Sequence, residues 1–184
     1  IGNRVDRFIW NGSTLTFDRN LLQLRTFQAD GGPEPPGQGD QGQPARANHN
    51  GGAITFGQDG KLYVAVGDEG RRGQMQNLAD GPTPPTADDQ FGGPAPDDAH
   101  LTGVVLRVND DGSTPADNPF YGSQTGLARA VWAYGLRNPF TFAFQPGTGR
   151  MHINDVGGAN WEEINRGTAG ANYGWPGSEG PVGI

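Results

Sequence analysis

Two segments of the chain repeat one pattern: AITFGQDGKLYVAVGDEG at residues 53–70 and TFAFQPGTGRMHINDVGG at residues 141–158. Each has a strand-like run with an aromatic end, a glycine turn, a second strand-like run, and then aspartate and glycine. Phe56 and Phe144 lie 88 residues apart, which corresponds to two units of about 44 residues, the length of a propeller blade. The repeat therefore predicts an all-β protein of the propeller class.

Weaker copies of the pattern occur at residues 15–20 (LTFDRN) and 106–113 (LRVNDDGS), so the chain contains about four units, some of them partial. Propellers close with four to eight blades. Because the chain ends at Ile184, directly after a unit of this kind, we expect residues 1–184 to form one partial β-propeller domain.

Strand-like runs outside the repeat support the same class, and no window has the three-to-four apolar spacing of a helix. Asn11-Gly12 predicts a hairpin turn between residues 5–10 and 13–17. Segments rich in glycine, proline and charge predict long loops at about 29–47 and 70–99. The other predicted strands are 21–27, 52–57, 61–66, 103–108, 129–134, 140–145 and 150–154.

The composition excludes several classes of protein. The formal net charge of −7 argues against nucleic acid or an anionic membrane surface as a partner. Without cysteine, the chain has no disulfide framework and no thiolate metal site. No apolar run approaches the length of a membrane span. Ile1 is not an initiator residue, so we expect a processed chain or a piece of a longer one.

Candidate catalytic residues lie beside the first repeat. His49 precedes its first strand, next to glycines that permit close approach to the backbone, and a neutral imidazole is the natural base near pH 7. Asp68 follows its second strand. If the two strands are antiparallel neighbours, Asp68 lies at the same end as His49 and can orient the imidazole. The alternatives are a turn histidine and a turn-forming aspartate.

Two further groups suit ligands rich in oxygen. Arg137 and Asn138 place a guanidinium next to a carboxamide, and Pro139 biases Asn138 towards an extended conformation. The alternative for the arginine is a pair with a neighbouring carboxylate. Gly157-Gly158, followed by acidic residues, indicates a site for a hard cation such as calcium or, alternatively, a solvated acidic turn.

Several motifs together resemble the soluble PQQ-dependent sugar dehydrogenases, also called the glucose/sorbosone dehydrogenase family. The match covers about residues 48–176. Its motifs are HNGG (49–52), KLYV (61–64), GVVLRVNDDG (103–112), DNPF (117–120), YGLRNP (134–139), EEIN (162–165) and NYGWP (172–176).

The resemblance implies a six-bladed β-propeller, of which this chain supplies about three to four blades, with pyrroloquinoline quinone (PQQ) near its axis. It implies oxidation of an aldose at C1 to the lactone and transfer of electrons to an external acceptor. It also implies a periplasmic or secreted enzyme. We expect the chain alone to be inactive, or to be completed by the missing blades or by a second copy in a homodimer.

The resemblance also implies roles for individual residues. His49 matches the catalytic base, Asp68 the carboxylate that orients it, and Arg137 the cation that stabilises charge on the reduced cofactor. Asn138 and, with a shift of one residue, Gln74 match cofactor-facing positions, as do His49 and Arg137.

For the metal, the resemblance implies that the carbonyl groups of Gly157 and Gly158 hold the Ca²⁺ of the cofactor. Glu163 and Tyr173 match a second, structural calcium site, to which Tyr173 contributes its backbone oxygen. Gly158 stands where the family has proline.

Two alternatives remain beside the dehydrogenase. One is a non-catalytic extracellular β-propeller that serves as a binding or scaffold domain, and the other is a calcium-dependent sugar lactonase. The dehydrogenase requires His49 and Arg137 to face a common cavity, whereas the binding propeller does not.

Overall fold

A computed structural model describes residues 2–25, 48–70 and 101–183. Their strands are β1 (Gly2–Trp10), β2 (Leu15–Arg25), β3 (Ile54–Phe56), β4 (Leu62–Val66), β5 (Val104–Val108), β6 (Val131–Tyr134), β7 (Pro139–Phe144), β8 (Met151–Asp155), β9 (Glu163–Arg166), β10 (Ser178–Glu179) and β11 (Val182–Gly183). A short 3-10 helix, Gly126–Ala130, precedes β6.

All strand pairs within the sheets are antiparallel, and within each sheet the strands follow one another in chain order. β1 and β2 form a hairpin, β3 to β6 a four-stranded sheet, β7 to β9 a three-stranded sheet, and β10 with β11 a small ribbon. No α-helix occurs in the described residues, so the predicted all-β class is confirmed. In these same residues, no helix has the length and apolar character needed to cross a membrane. The number of blades stays a prediction.

The sequence repeat corresponds to the same structural unit in two sheets. β3 and β4 form a hairpin in the four-stranded sheet, and β7 and β8 form one in the three-stranded sheet. Phe56 pairs with Leu62 in the first hairpin and Phe144 with Met151 in the second, so the second turn is one residue longer.

Two of the strand predictions need correction. Residues 15–17 of the first run and residues 21–25 of the second belong to a single strand, β2, whereas residues 13 and 14 precede it. The polar residues between the two runs suggest a turn, but Asn20 instead bonds across to β1, donating to Oδ1 of Asp6 at 2.7 Å, beside an irregularity in the register. The sequence analysis also did not predict β9, whose four-residue run EINR begins at the second residue of the acidic pair Glu162-Glu163.

The hydrophobic core lies on both faces of the four-stranded sheet. On one face, Val64 and Leu106 pack in a cluster with Leu22 and Leu24 of the hairpin. On the other, residues such as Ala65 and Val105 pack against β7 and β8 of the three-stranded sheet. Burial on both faces explains why β4 and β5 read as nearly continuous apolar runs, because such strands have no face exposed to water.

Candidate active site

His49 and Asp68 lie in contact at one edge of the four-stranded sheet. His49 lies ahead of β3 and Asp68 follows β4, and the antiparallel pairing of these strands places both at the same edge. Nδ1 of His49 lies 2.7 Å from Oδ1 of Asp68. The Asp68 side chain is fully buried, whereas that of His49 is 15% exposed. The structure therefore brings together two predicted catalytic residues, whose roles stay predictions.

The contact determines which nitrogen of His49 is available for chemistry. A carboxylate oxygen accepts hydrogen bonds, so Nδ1 of the neutral imidazole carries the hydrogen and donates it to Asp68. Nε2 then has a free lone pair and can take a proton. The backbone N–H of Gly70 donates to the same Oδ1 of Asp68 at 2.8 Å and helps to fix the carboxylate. This arrangement suits a general base.

Glycines allow the histidine loop to lie against β4. A Cβ atom on Gly51 would lie 2.1 Å from the carbonyl oxygen of Ala65, and one on Gly67 would lie 2.3 Å from that of His49. The group that lies close to Gly51 is therefore the backbone of β4, rather than a ligand. His49 has a φ of 53°, a left-handed conformation that is uncommon outside glycine and often occurs at functional sites.

Arg137 and Asn138 connect β6 to β7 beside this pair. The backbone N–H of Asp68 donates to the carbonyl oxygen of Arg137 at 2.7 Å. The Arg137 guanidinium lies 5.3 Å from the centre of the Trp175 ring, and its Nη1 donates to the carbonyl of Val156 at 3.2 Å. Its contacts in the described residues thus include an aromatic ring and a carbonyl group.

Asp155, at the end of β8, orients the loop that carries Arg137. Its two carboxylate oxygens accept the backbone N–H groups of Arg137 at 3.0 Å and of Asn138 at 2.6 Å. Burial raises the pKa of Asp155 to about 7, with a smaller contribution from the charges of Glu163 and Asp68, although the two N–H donors act in the opposite direction. Asp155 therefore combines a positioning role with an unusual protonation equilibrium.

The glycine corner after β8 is organised by a carboxylate. Oε1 of Glu179 accepts the backbone N–H groups of residues 158–161, at distances between 2.6 and 3.2 Å. Burial would raise the pKa of Glu179, but these N–H donors outweigh burial and hold the pKa below its usual value. The corner is thus built around a negative charge of the protein itself.

With the N–H groups of residues 158–161 bonded to Glu179, the carbonyl groups of Gly157 and Gly158 remain available. Within the described residues, no hydrogen bond is made to either carbonyl oxygen. The loop from Gly157 to Glu162 lines a cavity of about 190 Å³. Carbonyl and carboxylate oxygens are the ligands that Ca²⁺ prefers, so this donor set fits the predicted calcium corner.

Glu163 and Tyr173 lie near one another, but their side chains have other partners. Glu163 accepts the backbone N–H of Gly180 through a short hydrogen bond, and Nδ2 of Asn165 donates to it at 2.8 Å. The Tyr173 hydroxyl donates to the carbonyl of Arg166 at 2.7 Å.

The same region contains three carboxylates around little free space. Asp155, Glu163 and Glu179 line a cavity of about 10 Å³ together with Tyr173. Over the described ranges, no three histidine, cysteine, aspartate or glutamate side chains are arranged to hold a metal ion. The second calcium site, at Glu163 and the backbone oxygen of Tyr173, stays a prediction.

One predicted site residue, Gln74, lies outside the described residues. Conversely, the sequence analysis missed Asp155, Glu179 and Trp175 as functional residues. Asp155 had a signal, since it is the aspartate of the second repeat. Glu179 had none nearby, because its nearest partner, Trp161, precedes it by 18 residues.

Comparison with known proteins shows which proteins this chain resembles. The profile of the family described as Glucose / Sorbosone dehydrogenase matches residues 40–180. Aldose sugar dehydrogenase YliI of Escherichia coli (strain K12) is 34% identical over 129 residues, which are 70% of this chain and 29% of that protein. Quinoprotein glucose dehydrogenase B of Acinetobacter calcoaceticus is 36% identical over 181 residues, covering 94% of this chain and 32% of that protein.

A solved structure extends the similarity to the fold. The PQQ-bound form of aldose sugar dehydrogenase from Streptomyces coelicolor superposes with a TM-score of 0.65 at 27% identity. The superposition covers 98% of this chain and 42% of that chain. The chain spans about a third of the length of the curated relatives it matches.

Proposed function

Because the chain belongs to the glucose/sorbosone dehydrogenase family of PQQ-dependent sugar dehydrogenases, we propose that it carries the catalytic base of an enzyme that oxidises an aldose at C1 to the lactone. The observation that carries the proposal is the buried contact between His49 and Asp68, 2.7 Å long, which leaves Nε2 of the imidazole free to accept a proton. The proposal includes an external electron acceptor and a periplasmic or secreted location, as the family resemblance implies.

The oxidation removes a hydride from C1 and a proton from the C1 hydroxyl group. Nε2 of His49 takes the hydroxyl proton, while Asp68 stabilises the imidazolium that forms. Asp68 accepts from Nδ1 both before and after the transfer, so the ring keeps its orientation through the step. PQQ, when bound, supplies the acceptor for the hydride.

The guanidinium of Arg137 contributes a fixed positive charge to the same edge of the sheet. The backbone carbonyl oxygen of Arg137 accepts the N–H of Asp68 at 2.7 Å, so the cation is joined through the backbone to the carboxylate partner of the base. A cation held in advance stabilises negative charge on an oxygen at little reorganisation cost. The planar guanidinium also fits the oxygen-rich, planar chemistry of a quinone.

The carbonyl groups of Gly157 and Gly158 would hold Ca²⁺, in a loop in which the N–H groups of residues 158–161 are bonded to Glu179. Calcium, when bound there, supplies Lewis acidity to the cofactor. The fit rests on the oxygen donors and on the adjoining cavity of about 190 Å³.

Reconstitution tests the proposal. The complete protein that contains this chain is incubated with PQQ and calcium, and quinone absorbance and dye reduction are followed with a panel of aldoses. His49→Ala is compared with His152→Ala, which removes an exposed histidine on β8. We expect His49→Ala to bind the quinone and to lose ~10²–10⁴-fold in kcat, and His152→Ala to resemble the unmodified protein.

Two results would count against the proposal. A quinone spectrum that never shifts in the folded, complete protein would indicate a binding propeller instead. Retention of sugar oxidation by His49→Ala would remove the role given to His49.

A further inference from the structure

The carboxylate of Asp68 is held from both sides. Oδ1 accepts from Nδ1 of His49 and from the N–H of Gly70, at 2.7 and 2.8 Å. Oδ2 accepts from Nε1 of Trp175 at 2.9 Å, in a buried contact between residues 107 positions apart. A carboxylate with donors on both oxygens cannot rotate without losing at least one hydrogen bond. The indole N–H of Trp175 therefore helps to determine the direction in which Oδ1 meets His49.

The face of the Trp175 ring contacts a second predicted catalytic residue. The Arg137 guanidinium lies 5.3 Å from the ring centre, within the range of a cation–π interaction. On another side, a Cβ atom added to Gly158 would lie 3.1 Å from Cη2 of the ring, so the indole also packs against the glycine corner. One side chain thus contacts the partner of the base, the cation and the corner proposed to hold calcium.

Backbone hydrogen bonds hold this indole in place. The N–H of Trp175 donates to the carbonyl of Gly135 at 3.0 Å, and the N–H of Tyr173 donates to that of Tyr134 at 2.9 Å. Because Gly135 lies just after β6 and just ahead of Arg137, the segment that carries the indole is tied to the segment that carries the guanidinium. Trp175 itself is only 4% exposed.

We propose that Trp175 is a positioning residue for the dehydrogenase reaction: its N–H fixes the Asp68 carboxylate that orients His49, and its ring face fixes the Arg137 guanidinium. The inference rests on the proposed function for its kinetic consequence. Its structural consequence, a single orientation and tautomer of the His49 ring, does not require cofactor or substrate. The two can therefore be measured separately.

The test uses Trp175→Phe, which keeps an aromatic ring but removes the N–H donor to Asp68. Trp10→Phe is the matched control, since Trp10 is 59% exposed on the β1–β2 hairpin. In the complete protein loaded with PQQ and calcium, we expect Trp175→Phe to lose ~100-fold in kcat, because misplaced catalytic groups slow the chemical step. KM for the sugar should stay within about threefold, since catalytic groups are displaced rather than binding contacts removed.

A second measurement distinguishes positioning from general support of the fold. The ¹⁵N resonances of the His49 ring, in protein without cofactor, report which nitrogen carries hydrogen. We expect the Nδ1–H form alone in the unmodified protein and in Trp10→Phe, and a mixture of both tautomers in Trp175→Phe. Trp175→His returns a ring N–H donor, so we expect it to restore part of kcat and of the Nδ1–H signal. It also serves as the test variant if circular dichroism shows that Trp175→Phe does not fold.

The outcomes are separable. Unchanged kcat together with unchanged His49 resonances in Trp175→Phe would overturn the inference. A folded Trp175→Phe with lower kcat but the same resonances as Trp10→Phe would also overturn it, because the loss would not pass through the orientation of His49. If the unmodified protein oxidises no sugar, the proposed function fails, and the resonances alone decide whether Trp175 orients His49.

Discussion

Glu179 should stabilise the protein through the glycine corner, and Glu179→Gln tests this with a change of one atom. In the native protein, Oε1 accepts four backbone N–H groups, from residues 158–161. Glutamine keeps the shape and one acceptor oxygen but removes the charge. If its amide rotates, an NH₂ group faces N–H donors and those hydrogen bonds are lost.

The magnitude follows from the difference between charged and neutral acceptors. A hydrogen bond to a charged group contributes about 1.5–3 kcal/mol and a neutral one about 0.5–1.5 kcal/mol. The four donors share one oxygen, so their contributions do not add in full. The bond from Gly158, at 2.6 Å, is the shortest and should lose the most. We therefore expect the free energy of unfolding to fall by about 2 kcal/mol at pH 7.

The effect should depend on pH in a defined direction. The native state holds the pKa of Glu179 below the usual value of a glutamic acid. The unfolded chain then binds more protons than the native state as the pH falls below that usual value. The stabilisation by Glu179 is therefore fully present above the unfolded-state pKa and is lost as the pH falls through the native-state pKa. The difference between Glu179→Gln and the unmodified protein should shrink accordingly in acid.

Urea unfolding, followed by tryptophan fluorescence without added calcium, measures the change. Glu162→Gln is the control, because Glu162 is exposed and makes one longer contact, with the N–H of Gly157 at 3.3 Å. We expect a lower midpoint at the same m-value for Glu179→Gln, and a change within about 0.5 kcal/mol for Glu162→Gln. Equal stability of the two variants at pH 7 would refute the reasoning.

Two further substitutions test the close contacts around the site. In Gly67→Ala, the new Cβ would lie 2.3 Å from the carbonyl oxygen of His49, so the loop must shift, and we expect a ~100-fold lower kcat. Gly122→Ala, whose new Cβ would have nothing within 4 Å, should match the unmodified enzyme. Equal rates for the two variants would contradict this expectation. Asp155→Asn leaves one buried N–H facing an amide NH₂ group instead of an oxygen. We expect urea unfolding to show that the free energy of unfolding falls by about 1–3 kcal/mol, and the loss is reduced because a charge is no longer buried. Asp110→Asn, at an exposed position, should show no comparable loss. The opposite order of stability would show that burial of the charge outweighs the two hydrogen bonds.

The local part of the site was accessible from the sequence. His49 and Asp68 flank two strands joined by a short turn, so antiparallel pairing alone implies that they share an edge. The sequence motifs also predicted the glucose/sorbosone dehydrogenase family, which the family profile confirms. Asp155 is visible in the sequence as the aspartate of the second repeat, but only the structure shows that it accepts hydrogen bonds from the N–H groups of the Arg137 loop.

The sequence by itself determined most of the longer strands, the repeated hairpin and the family, because alternation, turn residues and short motifs act over a few neighbouring positions. Only the tertiary structure decided that Trp175 donates to Asp68 and that Glu179 holds the glycine corner. These contacts join segments that are distant in the chain, and they depend on how two sheets and their connecting loops pack together. A tryptophan after Tyr-Gly or a glutamate before glycine reads as an ordinary residue until packing brings its partner within hydrogen-bonding distance.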